Sequence, residues 1–185
     1  MNMTLRKSVA LVALLNLSYF VVEFLFSHLF DSLSLLSDSL DFLEDASINL
    51  LILIAFSWSL LARRRLSYLL AGILLIPGIV FIFQAITQFQ TPQVPNGVGM
   101  SVVGLGALFV NLYCALILTR HRNEKDGLAK AAYLSARNDA FANLLIIGAG
   151  FITQYWESTY PDLIIGFIIF AINFDAAKQV IKSQR

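Results

Sequence analysis

Six apolar runs separated by short polar segments constrain this chain more than any other feature of its sequence. A helix that crosses a bilayer needs ~20 mostly apolar residues, and each run is of that length. The chain is 58% hydrophobic and 14% charged, whereas soluble domains carry roughly 25% charged residues. The sequence therefore predicts an all-α membrane protein, a bundle of six transmembrane helices. We expect the spans at residues 8–29, 40–61, 66–89, 98–119, 131–152 and 161–177.

Connections that contain Lys or Arg alternate with connections that contain neither along the predicted spans. Apart from Arg137, which lies near the start of span five, the Lys and Arg residues occur before span one, between spans two and three, between spans four and five, and after span six. They are Arg6, Lys7, Arg63, Arg64, Arg65, Arg120, Arg122, Lys125, Lys130, Lys178, Lys182 and Arg185. The connections 27–33, 90–97 and 153–160 contain neither residue type. Since cytoplasmic loops carry the excess of Lys and Arg, we expect cytoplasmic N- and C-termini. We also expect residues 1–185 to form one transmembrane domain without a soluble domain after span six.

Charge and cysteine content exclude several function classes. The net charge of +1 gives no basis for nucleic-acid binding. The single cysteine, Cys114, cannot form an intramolecular disulfide and fits a small buried side chain. With His28 and His121 as the only histidines, the chain lacks the Cys/His cluster of a zinc finger. We expect no bound cofactor.

The second predicted span carries a stripe of acids. At about 100° per residue, Asp38, Asp41, Asp45 and Asn49 fall on one helical face, and Glu44 lies off it. Ionisable side chains inside a bilayer are costly and face the bundle interior, a water-filled cavity or one another. The stripe therefore predicts a polar site inside the bundle, where a cation could bind.

The fifth predicted span supplies partners for this stripe. Ser135, Asn138 and Asp139 cluster on one side of that helix. Since Asp139 needs polar partners, we expect spans two and five to be adjacent. Asp41, Asp45 and Asp139 then become charged metal ligands, and Ser135 or Asn138 adds a neutral oxygen. Three carboxylates cannot all stay ionised in a low dielectric without a cation or protons. The pattern thus predicts a divalent-metal site that also accepts protons. The alternative is a network of protonated acids that only holds helices together.

Three further polar residues are assigned to an access path for the ion. Asp38 lies one turn outward from Asp41, Glu23 lies near the external end of span one, and Asn49 continues the stripe of span two. For Glu23, a buried acid with a satisfied partner is an equally good interpretation.

These residues resemble the motifs of the cation diffusion facilitator family. The family's second span often reads Ser-Leu-Ala-Leu-Leu-Ala-Asp-Ala, then His or Asp, three residues, and Asp. Here Ser32 to Ser39 reads SLSLLSDS and leads to Asp41 and Asp45. The family's fifth span commonly reads His or Asp, three residues, Asp, and here Ser135 precedes Asp139 with that spacing. The resemblance implies a six-span exporter of divalent cations that exchanges them for protons, without enzymatic activity.

Two departures from the family pattern affect what the resemblance implies. Ser135 replaces the usual His or Asp, and we expect the cytoplasmic metal-binding domain that many members carry after span six to be absent. The family favours zinc, cobalt or iron as substrate, whereas an all-oxygen ligand set favours a harder ion such as manganese. We expect contact with the lipid bilayer and a location in the bacterial inner membrane. A homodimer is the assembly to test, but dimerisation through the family's cytoplasmic domain is not implied.

Two other function classes remain open at the level of the sequence. One is an intramembrane enzyme with paired aspartates, but the Gly-x-Gly-Asp motif of such proteases fails here, since Ala107 follows Gly106. The other is a membrane subunit that does not transport, because Ser135 has replaced a ligand.

Overall fold

The computed structural model describes residues 4–55, 59–119 and 127–182, with side chains over 4–54, 79–119 and 136–172 and at a few positions of 59–69. These residues form helices and short connections. The helices are α1 (Leu5–Leu29), α2 (Leu33–Ala55), α3 (Leu60–Gln90), α4 (Gly97–Thr119), α5 (Gly127–Trp156) and α6 (Tyr160–Lys182). The predicted all-α fold with six helices is confirmed.

Helix α2 is the centre of the bundle, because it contacts each of the other five helices. Every residue from Ser32 to Leu40 is buried. Its apolar side chains Leu33, Leu35 and Leu36 are completely inaccessible. The most extensive helix contacts are between α4 and α5 and between α1 and α2. The predicted adjacency of spans two and five is also observed, and it places the acid stripe of α2 beside α5.

Three connections without Lys or Arg meet at one end of the bundle, which we call the tied end. The backbone N–H of Asn96 donates to the carbonyl of Phe30 at 3.2 Å. The hydroxyl of Thr159 donates to the carbonyl of Gln93 at 2.9 Å, and Gln88 donates to the same carbonyl at 2.7 Å. The starts of α1 and α3 and the end of α6 therefore lie at the opposite end. The alternation of basic residues predicts that the opposite end is cytoplasmic.

Several helices extend beyond the predicted spans. Helix α2 begins at Leu33, seven residues before the predicted start, because Asp162 of α6 accepts its first backbone N–H groups. Helix α3 begins at Leu60 after the N-cap Ser59, so residues 63–65 belong to its first turns and not to a loop. Helix α5 continues to Trp156, which leaves only residues 157–159 between it and α6.

Two close helix contacts depend on glycine. A Cβ at Gly166 of α6 would lie 2.9 Å from the carbonyl carbon of Leu33, at the start of α2. A Cβ at Gly97 of α4 would lie even closer to the carbonyl oxygen of Gly150 on α5. Since backbone atoms cannot move aside as a side chain can, these glycines set the separations of α2 from α6 and of α4 from α5.

The outer surface of the bundle is strongly apolar. Leu14, Phe83, Phe109 and Phe141 are each more than 60% exposed. Contiguous apolar surface of this extent marks a face that contacts something other than water. Among the described residues, α1 and α4 are long and apolar enough to cross a membrane by length and composition. The exposed side chains fit contact with lipid.

Candidate functional site

The first polar layer inside the bundle surrounds Asp45 of α2, and we call it the Asp45 layer. Asn16 of α1 donates its amide Nδ2 to Asp45 Oδ2 at 3.4 Å. The thiol of Cys114 on α4 contacts the other side of this amide, at 3.7 Å from Asn16 Oδ1. All three side chains are buried: the exposed fraction is 6% for Asp45 and 0% for the other two. The amide orients the carboxyl without neutralising its charge.

Asp139 of α5 belongs to the same layer. Asp45 and Asp139 both place negative charge near the Cys114 thiol, and α5, which carries Asp139, packs against α2 and α4. Asp139 is half-buried. Two carboxyls in one partly desolvated region favour the binding of a cation or of a proton.

A second polar layer lies two helical turns nearer the tied end and surrounds Asp38, and we call it the Asp38 layer. Asp38 and Asp45 are seven residues apart, which corresponds to ~10 Å along a helix. Asn143 of α5 donates Nδ2 to Asp38 Oδ2 at 2.6 Å, and Asn111 of α4 donates to Asn143 Oδ1 at 3.1 Å. The hydrogen bonds therefore join α2, α5 and α4 through three buried side chains.

Glu23 of α1 completes the Asp38 layer. Its carboxyl lies within hydrogen-bonding reach of the Asp38 carboxyl, and both side chains are 0% exposed. In the described part of the chain, no donor reaches either oxygen of Glu23 or Oδ1 of Asp38. Two carboxyls can form a hydrogen bond only when one of them carries a proton, since ionised carboxylates have acceptors alone.

The other predicted site residues differ in their burial and in their partners. Asp41 is half-buried on α2, and it acts electrostatically on Glu23. Asn49 is buried and donates to the carbonyl of Asp45, one turn back on its own helix, at 2.8 Å. Asn138 is exposed and accepts from Arg137 at 3.4 Å, so the structure does not bring it to Asp45. The side chain of Ser135 lies outside the described residues.

Sequence reasoning missed the role of Asp162 on α6. Its Oδ1 accepts from the Ser32 hydroxyl at 2.8 Å and from the Ser34 backbone N–H at 3.0 Å, while Oδ2 accepts from the Leu33 N–H at 2.7 Å. These donors are the unsatisfied N–H groups of the first turn of α2, and a carboxylate is well suited to them. The signal in the sequence was the serines that precede and open α2, which are typical of a helix N-terminus.

The ligand set predicted from the sequence stays a prediction. Among the described residues, no three Asp, Glu, His or Cys side chains form a group that could hold a metal ion. Asp45 and Asp139 supply two carboxyls to one region, and the neighbouring Asn16 and Cys114 could each add a donor atom. An oxygen-rich set of this kind suits a divalent cation that is bound transiently as a substrate.

Comparisons with known proteins give the family. The family model described as the cation efflux transmembrane domain matches residues 9–184. A cadmium, cobalt and zinc/H(+)-K(+) antiporter of Bacillus subtilis is 25% identical over 95% of this chain, and the match covers 62% of that relative. The zinc transporter ZitB of Pectobacterium atrosepticum is 27% identical over 91% of this chain and 57% of its own length.

The chain thus spans less than two thirds of the length of these relatives. The family match, in contrast, extends over nearly all of the chain and includes all six helices. The resemblance found in the motifs of α2 and α5 is confirmed, and the chain belongs to the cation efflux family of transmembrane proteins.

Proposed function

We propose that this protein exports divalent metal cations across a bacterial inner membrane in exchange for protons. Both relatives are bacterial, and their names describe transport of zinc or of cadmium, cobalt and zinc. The observation that carries the proposal is the buried carboxyl of Asp45 on α2, a helix that packs against α5, which carries Asp139. Two helices with carboxyls in a shared interior region are suited to hold a cation in the middle of a bundle.

The ion would bind between α2 and α5, with Asp45 and Asp139 as its charged ligands. Asp41 lies one turn from Asp45 on α2 and is the third carboxyl of the proposed set. Ser135 lies one turn before Asp139 in the sequence and is the proposed neutral ligand on α5. The exposed position of Asn138 leaves Ser135 as the better of the two neutral candidates.

Exchange for protons follows from the electrostatics of such a site. When the metal leaves, carboxylates that were neutralised by it remain close together in a low dielectric, and protons are the counter-charge at hand. Metal ligands must also be deprotonated before a metal binds, so the two cations compete. The name of the Bacillus subtilis relative includes H(+) and is consistent with this exchange.

The substrate is proposed to be zinc or a related ion, with manganese as the competitor to test. Transport is proposed to proceed without a cofactor, and a homodimer is the assembly to test. The names of the relatives favour zinc, and a shell without imidazole favours a harder ion.

Metal uptake into proteoliposomes tests the proposal. We expect the wild-type protein to transport zinc and an imposed pH gradient to drive it, and we expect Asp45→Asn to abolish transport. Asp31→Asn is the matched control, because Asp31 is an exposed acid at the tied end with a φ of 53°, which Asn tolerates. Full zinc transport by folded Asp45→Asn protein would contradict the proposed site.

A further inference from the structure

We propose that Glu23 of α1 and Asp38 of α2 form a proton-binding site, in which one proton is held between the two carboxyls. This site is separate from the Asp45 layer, where the metal is proposed to bind. The inference rests on the proton exchange proposed above and identifies which residues carry the exchanged proton.

The first support is the absence of another way to satisfy these groups. Three buried carboxyl oxygens, both of Glu23 and Oδ1 of Asp38, have no hydrogen-bond donor in the described part of the chain. Leaving buried polar atoms without a partner costs about 1–3 kcal/mol each, and more for charged groups. A proton on one carboxyl creates a donor for the other, so that a single proton gives two of these three oxygens a partner.

The second support is the arrangement of the Asp38 hydrogen bonds. Asn143 donates to Oδ2 of Asp38 at 2.6 Å and is itself fixed by Asn111. This amide orients Asp38 but brings no positive charge. The pair therefore differs from a carboxylate neutralised by an ion pair: its charge can be balanced only by a proton or by a cation that enters.

The groups around the pair add negative charge or none. On α1, Tyr19 lies one turn before Glu23, and its hydroxyl donates to the carbonyl of Val103 at 2.6 Å. On α2, Asp41 acts electrostatically on Glu23 and opposes a second negative charge there. His28 of α1 is exposed.

No cation on the other helices contacts the pair in the described part of the chain, since Arg137 of α5 is exposed and donates to Asn138. Between Gly97 and Thr119, α4 contains no Asp, Glu, Lys, Arg or His, and its Cys114 belongs to the Asp45 layer. The acid of α5, Asp139, lies in that layer too. Asp162 of α6 is engaged with the start of α2. Since no described cation neutralises Glu23 or Asp38, a proton shared between them is the remaining counter-charge.

The helices that carry this site also carry the proposed metal ligands. Asn143 follows Asp139 on α5 by four residues, about one turn, and Asp38 precedes Asp45 on α2 by about two turns. A shift of α5 against α2 that changes the distance between Asp139 and Asp45 therefore also changes the hydrogen bond from Asn143 to Asp38. Breaking that hydrogen bond would raise the affinity of Asp38 for the proton. Metal and proton sites can thus influence each other without sharing a ligand.

The test separates transport driven by a pH gradient from metal–metal exchange in proteoliposomes. Glu23→Gln removes the shared proton but keeps the size of the side chain and gives an amide that can donate to Asp38. We expect this variant to keep the exchange of labelled zinc for unlabelled zinc. We expect the ratio of its uptake with and without a pH gradient to fall to unity. Asp31→Asn, an exposed acid changed in the same way, should behave as the wild type.

Each outcome decides the proposal. If Glu23→Gln still responds to the gradient as the wild type does, the proposal is wrong. If folded Glu23→Gln and Asp38→Asn proteins both lose zinc–zinc exchange as well, the pair has a structural role only, which also overturns it. If the wild type itself ignores the gradient, proton exchange as the proposed function fails, and the proton-binding site is then decided by a second measurement.

That measurement is the infrared spectrum of the reconstituted protein, which reports protonated carboxyls whether or not transport is coupled. We expect a carbonyl band of a protonated carboxylic acid that shifts in D₂O. The band should be lost in Glu23→Gln and kept in Asp31→Asn. A wild-type spectrum without this band at neutral pH, or a band that Glu23→Gln leaves unchanged, would overturn the proton-binding site.

Discussion

Asp162 and Leu33 are 129 residues apart in the chain, yet the carboxyl of Asp162 accepts the backbone N–H of Leu33 at 2.7 Å. A residue of the last helix thereby supplies an acceptor to the start of the second, beside the N-cap residue Ser32, whose hydroxyl accepts from the Leu35 N–H at 3.2 Å. The contact is completely buried, and it fixes the start of the helix that carries Asp38, Asp41 and Asp45.

The first prediction concerns the acceptor supplied by Asp162. Asp162→Ala leaves the first N–H groups of α2 buried without an acceptor, so we expect a lower melting temperature in detergent, equivalent to about 1–3 kcal/mol. Asp162→Asn keeps one acceptor oxygen and should lose less. Light-scattering or fluorescence thermal unfolding measures both. Equal stability of the alanine variant and the wild type would show that this acceptor is dispensable.

The second prediction compares two glycines within helices. Gly166→Ala places a Cβ 2.9 Å from the carbonyl carbon of Leu33, so α6 must move away from α2, and we expect a loss of thermal stability. Gly148→Ala on α5 is the control, because nothing lies within 4 Å of its added Cβ. There the gain in helix propensity of up to about 1 kcal/mol applies. A Gly166→Ala protein as stable as Gly148→Ala would contradict the close contact.

The third prediction uses two consecutive residues of α5. Asp139→Asn removes a carboxyl from the Asp45 layer, so we expect metal-dependent transport to be lost while the protein stays folded. Asn138→Ala alters an exposed side chain and should leave transport unchanged. Zinc uptake in proteoliposomes and gel filtration of both variants give the comparison. Loss of uptake in the Asn138 variant alone would mean that Asn138, and not Asp139, is needed for transport.

The fourth prediction addresses the choice of metal. Ser135→His supplies an imidazole at the position where the family pattern has a ligand, and imidazole favours zinc over manganese. We expect the substitution to raise zinc affinity relative to manganese in a competition series. Unchanged selectivity would mean that residue 135 does not reach the ion.

The six helices and their antiparallel order could be predicted, because apolar run length and basic alternation depend on the sequence alone. The adjacency of α2 and α5 could be predicted from the need of Asp139 for polar partners. The start of α2 could not, since it depends on an acceptor supplied by Asp162 from α6. Likewise, periodicity placed Asn138 and Asp139 on one side of α5, but neighbouring helical residues differ by about 100°. Only packing against α2 and α4 decided that Asp139 turns inward and Asn138 outward.

The hydrogen bonds between polar residues that are distant in the chain could not be predicted from the sequence either. Asn16 and Asp45 are 29 residues apart, and Asp38 and Asn143 are 105 apart. Each pair depends on the register between two helices. Close packing sets such a register, as the contact of Gly97 with Gly150 shows for α4 and α5.

The fixation of α2 at the tied end has a mechanical consequence. Asp162 and Gly166 hold the helix at Leu33 and Ser34, so any tilt of α2 would pivot there. With a rise of 1.5 Å per residue, Asp38 lies ~6 Å from Ser34 and Asp45 lies ~16 Å from it. The same tilt therefore displaces Asp45 between two and three times as far as Asp38. A small movement of α2 at the carboxyl pair of Glu23 and Asp38 is thus amplified at Asp45.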